Sequence, residues 1–462
     1  MGGIPLTEHS VFAALARRLR RMRPPQIIVL VFLGIILLGS ALLCLPAASQ
    51  SGRATGFLTS LFTATSATCV TGLIRVDTGS YWSAFGQAVI LVMIQIGGLG
   101  FMTIASIFYF VLRRRIGLRQ RLVIAQALSL DQISGVVGLV RNVLRGTLAV
   151  EGAGALILTL RFWPEFGLGR AVWYGVFHAV SAFCNAGFDV LGDLASGGSL
   201  CGYVDDPVVN LTIMALIVIG GLGFAVWGDV RKNRKFSRMS VYTRLVLSIS
   251  CGLIFGGAAL IALLEWNNPG TIGGLSVGGK LLASLFQSVT LRTAGFASFD
   301  QNALRDVTKA LSDVLMFIGG SSGSTAGGVK TVTVGVVVLA AIGTARGRTH
   351  VAAFKRSISP SAVSNAEAIA LLVLTLGFLG AGALCVIDGV SFDNAVYETI
   401  SALCTVGLTT GITSGLSLVS CLILIVFMFF GRVGIMTISV GFMMANRAEE
   451  RIEYAQTRVM IG

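Results

Sequence analysis

The sequence predicts an all-α polytopic membrane protein, with eight transmembrane helices in four pseudo-symmetric helix–re-entrant loop–helix repeats. Three observations predict it. Of the 462 residues, 54% are hydrophobic and 12% are charged, against roughly 25% charged in soluble domains. Apolar runs such as IIVLVFLGIILLGSALLCL (27–45) and FGQAVILVMIQIGGLGFMTIASIFYFVL (85–112) can cross about 30 Å of hydrocarbon. Four polar, glycine-bearing patches recur between such runs: TATSATCVTGLIRVDTG (63–79), FHAVSAFCNAGFDV (177–190), FQSVTLRTAGFASFD (286–300) and YETISALCTVGLTTG (397–411).

The patches share a register. Their glycines Gly72, Gly187, Gly295 and Gly407 stand 115, 108 and 112 residues apart, a spacing that reads as duplication and not as a short solenoid repeat. The first, second and fourth share S-A-x-C-x-x-G at 66–72, 181–187 and 401–407. In the third, Arg292 takes the position of Cys69, Cys184 and Cys404. Each unit has the same hydropathic order. First helices are expected at 27–47, 134–160, 241–265 and 366–387, and second helices at 82–112, 207–229, 310–342 and 417–445. The stretches between them, such as 54–67 and 281–290, are short for a crossing and are expected to be re-entrant.

Charge placement supports that choice. Lys and Arg number 35 against 21 Asp and Glu, a net +14. The basic residues cluster between apolar segments at 16–23, 113–121, 231–238 and 346–356, and no zinc-finger spacing or other DNA-binding module accompanies them. The positive-inside rule places all four clusters in the cytoplasm, which excess charge for nucleic-acid binding would not require. Re-entrant loops keep the clusters on one face, whereas four further crossings would alternate them. The expected organisation is a cytoplasmic tail 1–26, a first repeat 27–112, a linker 113–133, a second repeat 134–230 and a linker 231–240. It continues with a third repeat 241–345 containing an intramembrane loop at 318–331, a linker 346–365, a fourth repeat 366–445 and a cytoplasmic tail 446–462. The 27–45 run has no small-residue cleavage signature after it, so it is read as a retained helix and not a signal peptide. The eight cysteines form no CxxC pair and read as small buried thiols; His9, His178 and His350 are too dispersed for a metal motif.

Re-entrant backbone is tolerated at membrane depth only where protein or a watery cavity shields it. Four such loops would shield one another by meeting around a central pore. Their carbonyls would replace an ion's hydration shell, with glycine relieving the steric restriction. Carbonyl oxygens favour cations, and the C-terminal dipoles of the short descending helices add negative potential. Tight packing between helices is the competing role for such glycines; four ordered, related motifs favour the pore. Asp77, Asp189, Asp300, Asp205 and Asp206 fall on expected outer loops, either raising local cation concentration or forming a solvated face. Glu398 would brace the fourth loop.

Two further features stand apart. IGGSSGSTAGGVKT (318–331) has poor helical propensity and polar groups that lipid would penalise. It reads as a broken helix in a protein-lined cavity, able to obstruct a path below the loops, with a structural kink as the alternative. FFGRVGIMT (429–437) places Arg432 in an apolar helix where the first two units carry IGGLGF at 96–101 and 219–224. A charge there is costly without compensation, so Arg432 is a functional candidate, with a structural salt bridge or a carbonyl clamp as the rival role. Arg292 would repel a cation if it pointed inward and is expected to turn behind the loop.

The stretches CVTGLIRVDTG (69–79), CNAGFD (184–189), LRTAGF (291–296) and CTVGLTTG (404–411) resemble the Trk/Ktr/HKT superfamily of cation transporters, over essentially the whole chain. Within it the sequence is most similar to the membrane subunits of bacterial Ktr potassium-uptake systems. The resemblance implies a potassium-channel-like filter, with K⁺ as the transported ion at Gly72, Gly187, Gly295 and Gly407. Carbonyls of Val70, Thr71, Asn185, Ala186, Thr293, Ala294, Thr405 and Val406 would complete the lining. Some plant relatives with serine at the first filter position favour Na⁺; here that position is Gly72. Gating falls to Gly319, Gly320, Ser321, Ser322, Gly323, Ser324, Thr325, Ala326, Gly327, Gly328 and Lys330, together with Arg432. The resemblance further implies a homodimer in the bacterial plasma membrane, docked on a cytosolic octameric ring of RCK-type nucleotide-binding subunits resembling KtrA. ATP and ADP would act on that partner, and Na⁺ would act as an activator at no site that spacing locates. No P-loop or dinucleotide fingerprint is visible, so no enzymatic activity is expected. A coupled Na⁺/K⁺ or H⁺/K⁺ symporter and an inactive membrane scaffold are the alternatives.

Overall fold

A computed structural model describes residues 24–100, 136–191, 198–348 and 350–434. The expected N-terminal tail up to residue 23, the linker 113–133, the C-terminal tail and the basic clusters at 16–23 and 113–121 lie outside these residues. So do residues 101–112 and 435–445, the expected ends of two second helices.

The described residues are predominantly helical. Helix α1 (Pro24–Leu43) is followed by the short α2 (Phe57–Thr68), one turn of α3 (Thr78–Tyr81) and α4 (Ala84–Leu99). The 48-residue α5 (Val136–Phe183) is broken at Gly167, whose φ is +73°. Its first part and its last turns therefore serve as a long helix and a short descending one. Next come α6 (Pro207–Gly221) and α7 (Phe224–Lys232), then α8 (Val241–Glu265) and the short α9 (Val277–Thr290). Helices α10 (Asp306–Phe317) and α11 (Thr331–Ala345) flank a non-helical stretch. A two-residue hairpin, β1 (Ala352–Ala353) against β2 (Arg356–Ser357), precedes α12 (Pro360–Asp388), the short α13 (Phe392–Leu403) and α14 (Leu418–Val433).

Local chemistry sets many of the starts. Ser83, Ser240, Ser276, Ser359 and Ser417 accept a backbone N–H from their helix's first turn, satisfying donors that a helix start leaves unpaired. Asp206 caps α6 by accepting from Val208 and Val209, with Pro207 at the first helical position, where its missing N–H costs nothing. Gly389 closes α12 in the left-handed region.

Burial is inverted relative to a water-soluble protein. Large apolar side chains stand exposed on the long helices: Leu38 on α1, Leu148 on α5, Leu263 on α8 and Leu371 on α12. The short helices instead bury hydroxyls and amides, including Thr63, Thr65 and Ser66 on α2, Gln287 and Thr290 on α9, and Thr399 and Ser401 on α13. Lipid outside accounts for the first and a protein-lined interior for the second. Among the described residues, four helices are long and apolar enough to cross a membrane, or five if α6 and α7 form one bent span; α4, α11 and α14 are shorter apolar helices. This is a multi-pass membrane protein.

The structure corrects one expected helix. The stretch 207–229 is two helices bent by 93°, because Gly223 adopts φ +94° and ends the first segment. Glycines at the same register end α4 and α14, where Gly100 and Gly434 take φ of +76° and +90°.

Candidate permeation site

Each short helix ends at a loop with positive φ at the same two positions. Two residues before the glycine, Val70, Asn185, Thr293 and Thr405 take φ of +56°, +58°, +65° and +53°; the glycines themselves stand at +100°, +68°, +81° and +95°. Non-glycine residues pay to enter this region. Its fourfold recurrence marks a common structural demand.

The glycines close a cycle. A Cβ on Gly72 would lie 2.6 Å from the carbonyl oxygen of Ala186, and one on Gly187 2.8 Å from that of Ala294. One on Gly295 would lie 2.5 Å from the carbonyl oxygen of Val406, and one on Gly407 would strike that of Thr71. Each loop thus abuts the next, and the fourth returns to the first. The carbonyls immediately before the glycines meet at one place with no room for side chains.

Above this ring lies a cavity of about 210 Å³, lined by all four glycines and by Asp77, Asp189 and Asp300. The carboxylates also secure their own loops: Asp77 accepts from Ser80, Asp189 from Leu191 and Asp300 from Asn302. Burial pushes the nearby Cys201 thiol up to about 11, and the carboxylates of Asp189 and Asp300 add to the effect. Asp205 and Asp206 are not brought to this cavity. They line a separate depression with Arg161 and Glu165, where Arg161 Nε donates to Asp206 at 2.5 Å. Glu398 is fully buried; Thr413 donates to its carboxylate and pairs at 2.9 Å with Thr409, which lines the cavity wall.

Below the ring, residues 319–330 fold back under the loops. Thr325 donates to the carbonyl oxygen of Phe183 at 2.9 Å and to Asn185 Oδ1 at 3.4 Å. A Cβ on Gly328 would lie 2.9 Å from the carbonyl oxygen of Cys404. The stretch is held against the α6–α7 break, with Ser321 N–H donating to Gly221 and Phe224 N–H to Gly323 at 3.0 and 2.9 Å. Tyr242 adds a hydrogen bond to the Ser322 carbonyl at 2.9 Å. Lys330 turns back onto the stretch, its Nζ donating to Ala326 O at 2.9 Å.

Arg432 aligns with Gly98 and Gly221 in the repeated register. Its guanidinium donates to Thr325 O at 2.5 Å, to Gly98 O at 2.9 Å and to Gly97 O. Of the two expected roles, the carbonyl clamp is the contact present, and it ties the loop to the end of α4. Arg292 turns away from the glycine ring and donates to Thr331 Oγ1 at 3.2 Å.

Sequence reading passed over Glu151 and Gln95. The Glu151 carboxylate is buried in α5 and accepts from Gln95 Nε2 at 3.2 Å, beside Cys184 of the second loop. A lone acid in the apolar run TLAVEGAGALILTL (147–160) was the available signal. Among the described residues no group of three or more His, Cys, Asp or Glu could hold a metal ion.

Residues 14–451 match the family model TrkH, described as cation transport protein. The chain is 41% identical to Ktr system potassium uptake protein B of Bacillus subtilis, covering 96% of this chain and 97% of that protein. It is 38% identical to Potassium/sodium uptake protein NtpJ of Enterococcus hirae, covering 96% and 98%. The crystal structure of the potassium transporter TrkH from Vibrio parahaemolyticus shares the fold, with a TM-score of 0.71 at 18% identity, over 90% of this chain and 84% of that one. Taken with the helical architecture and the closed ring of loops, these matches make the chain a member of the TrkH family of cation transport proteins, a family of transporters and not of enzymes.

Proposed function

We propose that the chain is the potassium-translocating membrane subunit of a Ktr-type uptake system, conducting K⁺ through a gated, channel-like path. The observation that carries this reading is the cycle of four glycines, each pressed against the carbonyl before the next glycine. The potassium-uptake relatives in B. subtilis and E. hirae support the choice of ion.

In this reading eight crossings form four repeats around a central pore, with α10 and α11 as two halves of one crossing. Cations collect in the vestibule under Asp77, Asp189 and Asp300. They shed water onto the carbonyls of Thr71, Ala186, Ala294 and Val406, whose fixed dipoles replace the hydration shell. Val70, Asn185, Thr293 and Thr405 extend the lining below. The path is then obstructed by residues 319–330, and Arg432 holds that obstruction in place through backbone carbonyls. Conduction requires the loop to leave the underside of the filter.

The subunit is placed in the bacterial plasma membrane as a homodimer, with both termini cytoplasmic. A cytosolic octameric ring of RCK-type, KtrA-like subunits carries ATP or ADP and biases the loop, and Na⁺ acts as an activator. Coupled Na⁺/K⁺ symport is the second reading, drawn from the potassium/sodium name of the E. hirae relative.

The test is reconstitution of the purified protein in vesicles, with and without the ring, under defined K⁺ and Na⁺ gradients. Channel-like flux of K⁺ without a fixed stoichiometry of a second ion is expected. Replacing 319–330 by an uninterrupted apolar helix should change both basal and regulated flux. Unchanged flux in that variant would remove the loop from gating, and fixed coupling to Na⁺ or H⁺ would favour symport.

A further inference from the structure

The third filter loop differs from the other three in sequence and in backbone at the same point. In the first, second and fourth, the N–H of Thr71, Ala186 and Val406 donates to the carbonyl of Ser66, Ser181 and Ser401, each at 2.8 Å. In the third, Ala294 N–H donates to Thr290 at 2.9 Å, so this loop is wound one residue tighter. Thr290 Oγ1 takes up the carbonyl of Phe296 at 2.7 Å. The tighter winding coincides with Arg292, which stands where the other loops have cysteine.

Arg292 is buried at 8% exposure, and its guanidinium makes no ion pair among the described residues. Its hydrogen bond goes to Thr331, at the neck of the intramembrane loop. That neck is closed by Thr331 itself: its Oγ1 donates to Gly319 O at 2.8 Å and its N–H to Gly320 O at 3.1 Å, while Gly319 N–H donates to Val329 O at 2.8 Å. A hydroxyl has one donor and two acceptor positions. Thr331 Oγ1 therefore joins both ends of the loop through its proton and holds Arg292 through a lone pair. Arg292, Asn185 and Gly320 also border one small cavity.

We infer that Arg292 is a positioning residue that couples the intramembrane loop to the third filter loop, so that the gate and that quarter of the filter move as one unit. The inference deepens the potassium-pathway reading and rests on it for its functional consequence. Apart from Arg432, whose guanidinium holds Thr325 O, the loop's other contacts are to neutral groups such as Phe183 O, Asn185 Oδ1, Gly221 O and the Tyr242 hydroxyl, which can be remade elsewhere. A buried guanidinium has no such freedom. Losing Thr331 Oγ1 would leave its buried charge, which has no ion pair among the described residues, short of a hydrogen bond as well, so loop displacement at Thr331 is transmitted to residues 292–295. The cysteines of the other loops carry no full charge that would impose this coupling.

The test compares wild type with Arg292→Gln, Thr331→Val, Thr331→Ser and the Arg292→Gln/Thr331→Val double variant. The structural readout is amide hydrogen exchange of residues 319–331 and 292–296 in the full-length protein in lipid. Arg292→Gln and Thr331→Val are each expected to speed exchange in both segments by about tenfold, as loss of a charge-assisted hydrogen bond implies. The double variant should add little to either, and Thr331→Ser, which keeps the hydroxyl, should resemble wild type. In vesicles the same two single variants should raise basal K⁺ flux and lower the K⁺ over Na⁺ preference together. Exchange at wild-type rates in Arg292→Gln, additive effects in the double variant, or acceleration spread over the whole protein would overturn the inference. Vesicles of wild-type protein that pass no K⁺ would defeat the potassium reading alone, since the exchange measurement decides the coupling independently.

Discussion

A methyl group at Gly72 would meet the Ala186 carbonyl at 2.6 Å, on a residue whose φ of +100° already excludes ordinary side chains. Gly72→Ser should therefore lower K⁺ flux by about tenfold or more, since strain of this kind costs of order 1–3 kcal/mol. It should also shift the ratio of K⁺ to Na⁺ uptake towards Na⁺, measured with both ions in one vesicle preparation; an unchanged ratio would take Gly72 out of selectivity. Arg432 is the second decisive residue. Its charge rests on three backbone carbonyls, so Arg432→Gln removes hydrogen bonds to a charged group, each worth about 1.5–3 kcal/mol. Basal flux of the protein reconstituted alone should rise several-fold in that variant. Flux at or below the wild-type level would show that the clamp does not hold the path closed.

At the scale of elements, the four glycine loops depend on the helices that deliver them. Ser66 and Ser401 accept the N–H of Gly72 and Gly407 at 3.0 and 3.1 Å. Ser181 uses its hydroxyl differently, donating to Phe188 O at 2.6 Å. Ser66→Ala and Ser401→Ala each leave a buried glycine N–H unpaired, at a cost of about 1–3 kcal/mol. Both should lower the thermal unfolding midpoint in detergent and reduce flux; an unchanged midpoint would mean the loop finds another acceptor. The second helices show how far sequence reading reached. The broken helix at 318–331 was legible, because three glycines and four hydroxyl residues precede Gly327 and Gly328 in an otherwise apolar segment. The 93° bend between α6 and α7 was not. Gly223 looks like any small residue of a membrane helix until the loop seats against it, with Ser322 O 2.9 Å from where its Cβ would stand.

Over the whole molecule, the inverted burial and the charge clusters make a topological claim. If the cluster at 231–238 is cytoplasmic, the turn after α8 faces outside. Lys235 and Asn267 are both exposed, so cysteines placed there report the two faces. An impermeant thiol reagent applied to intact cells should label Asn267→Cys and not Lys235→Cys. The reverse pattern would invert the molecule, and labelling at both would break the re-entrant reading.

The sequence by itself determined the membrane setting, the order of long and short helices, the four glycines and their register. These follow from apolar length, charge placement and local backbone chemistry, each of which acts within a few tens of residues. Only the tertiary structure decided what those elements do to one another. The contact of Gly407 with Thr71 joins residues 336 positions apart, and Arg432 reaches Gly97 from 335 positions away. No periodicity encodes which carbonyls a buried guanidinium will find, because that choice is made by packing between elements distant in sequence. Arg432 as a clamp, Arg292 as a tie to the loop and Glu151 as a partner of Gln95 all belong to that second kind of information.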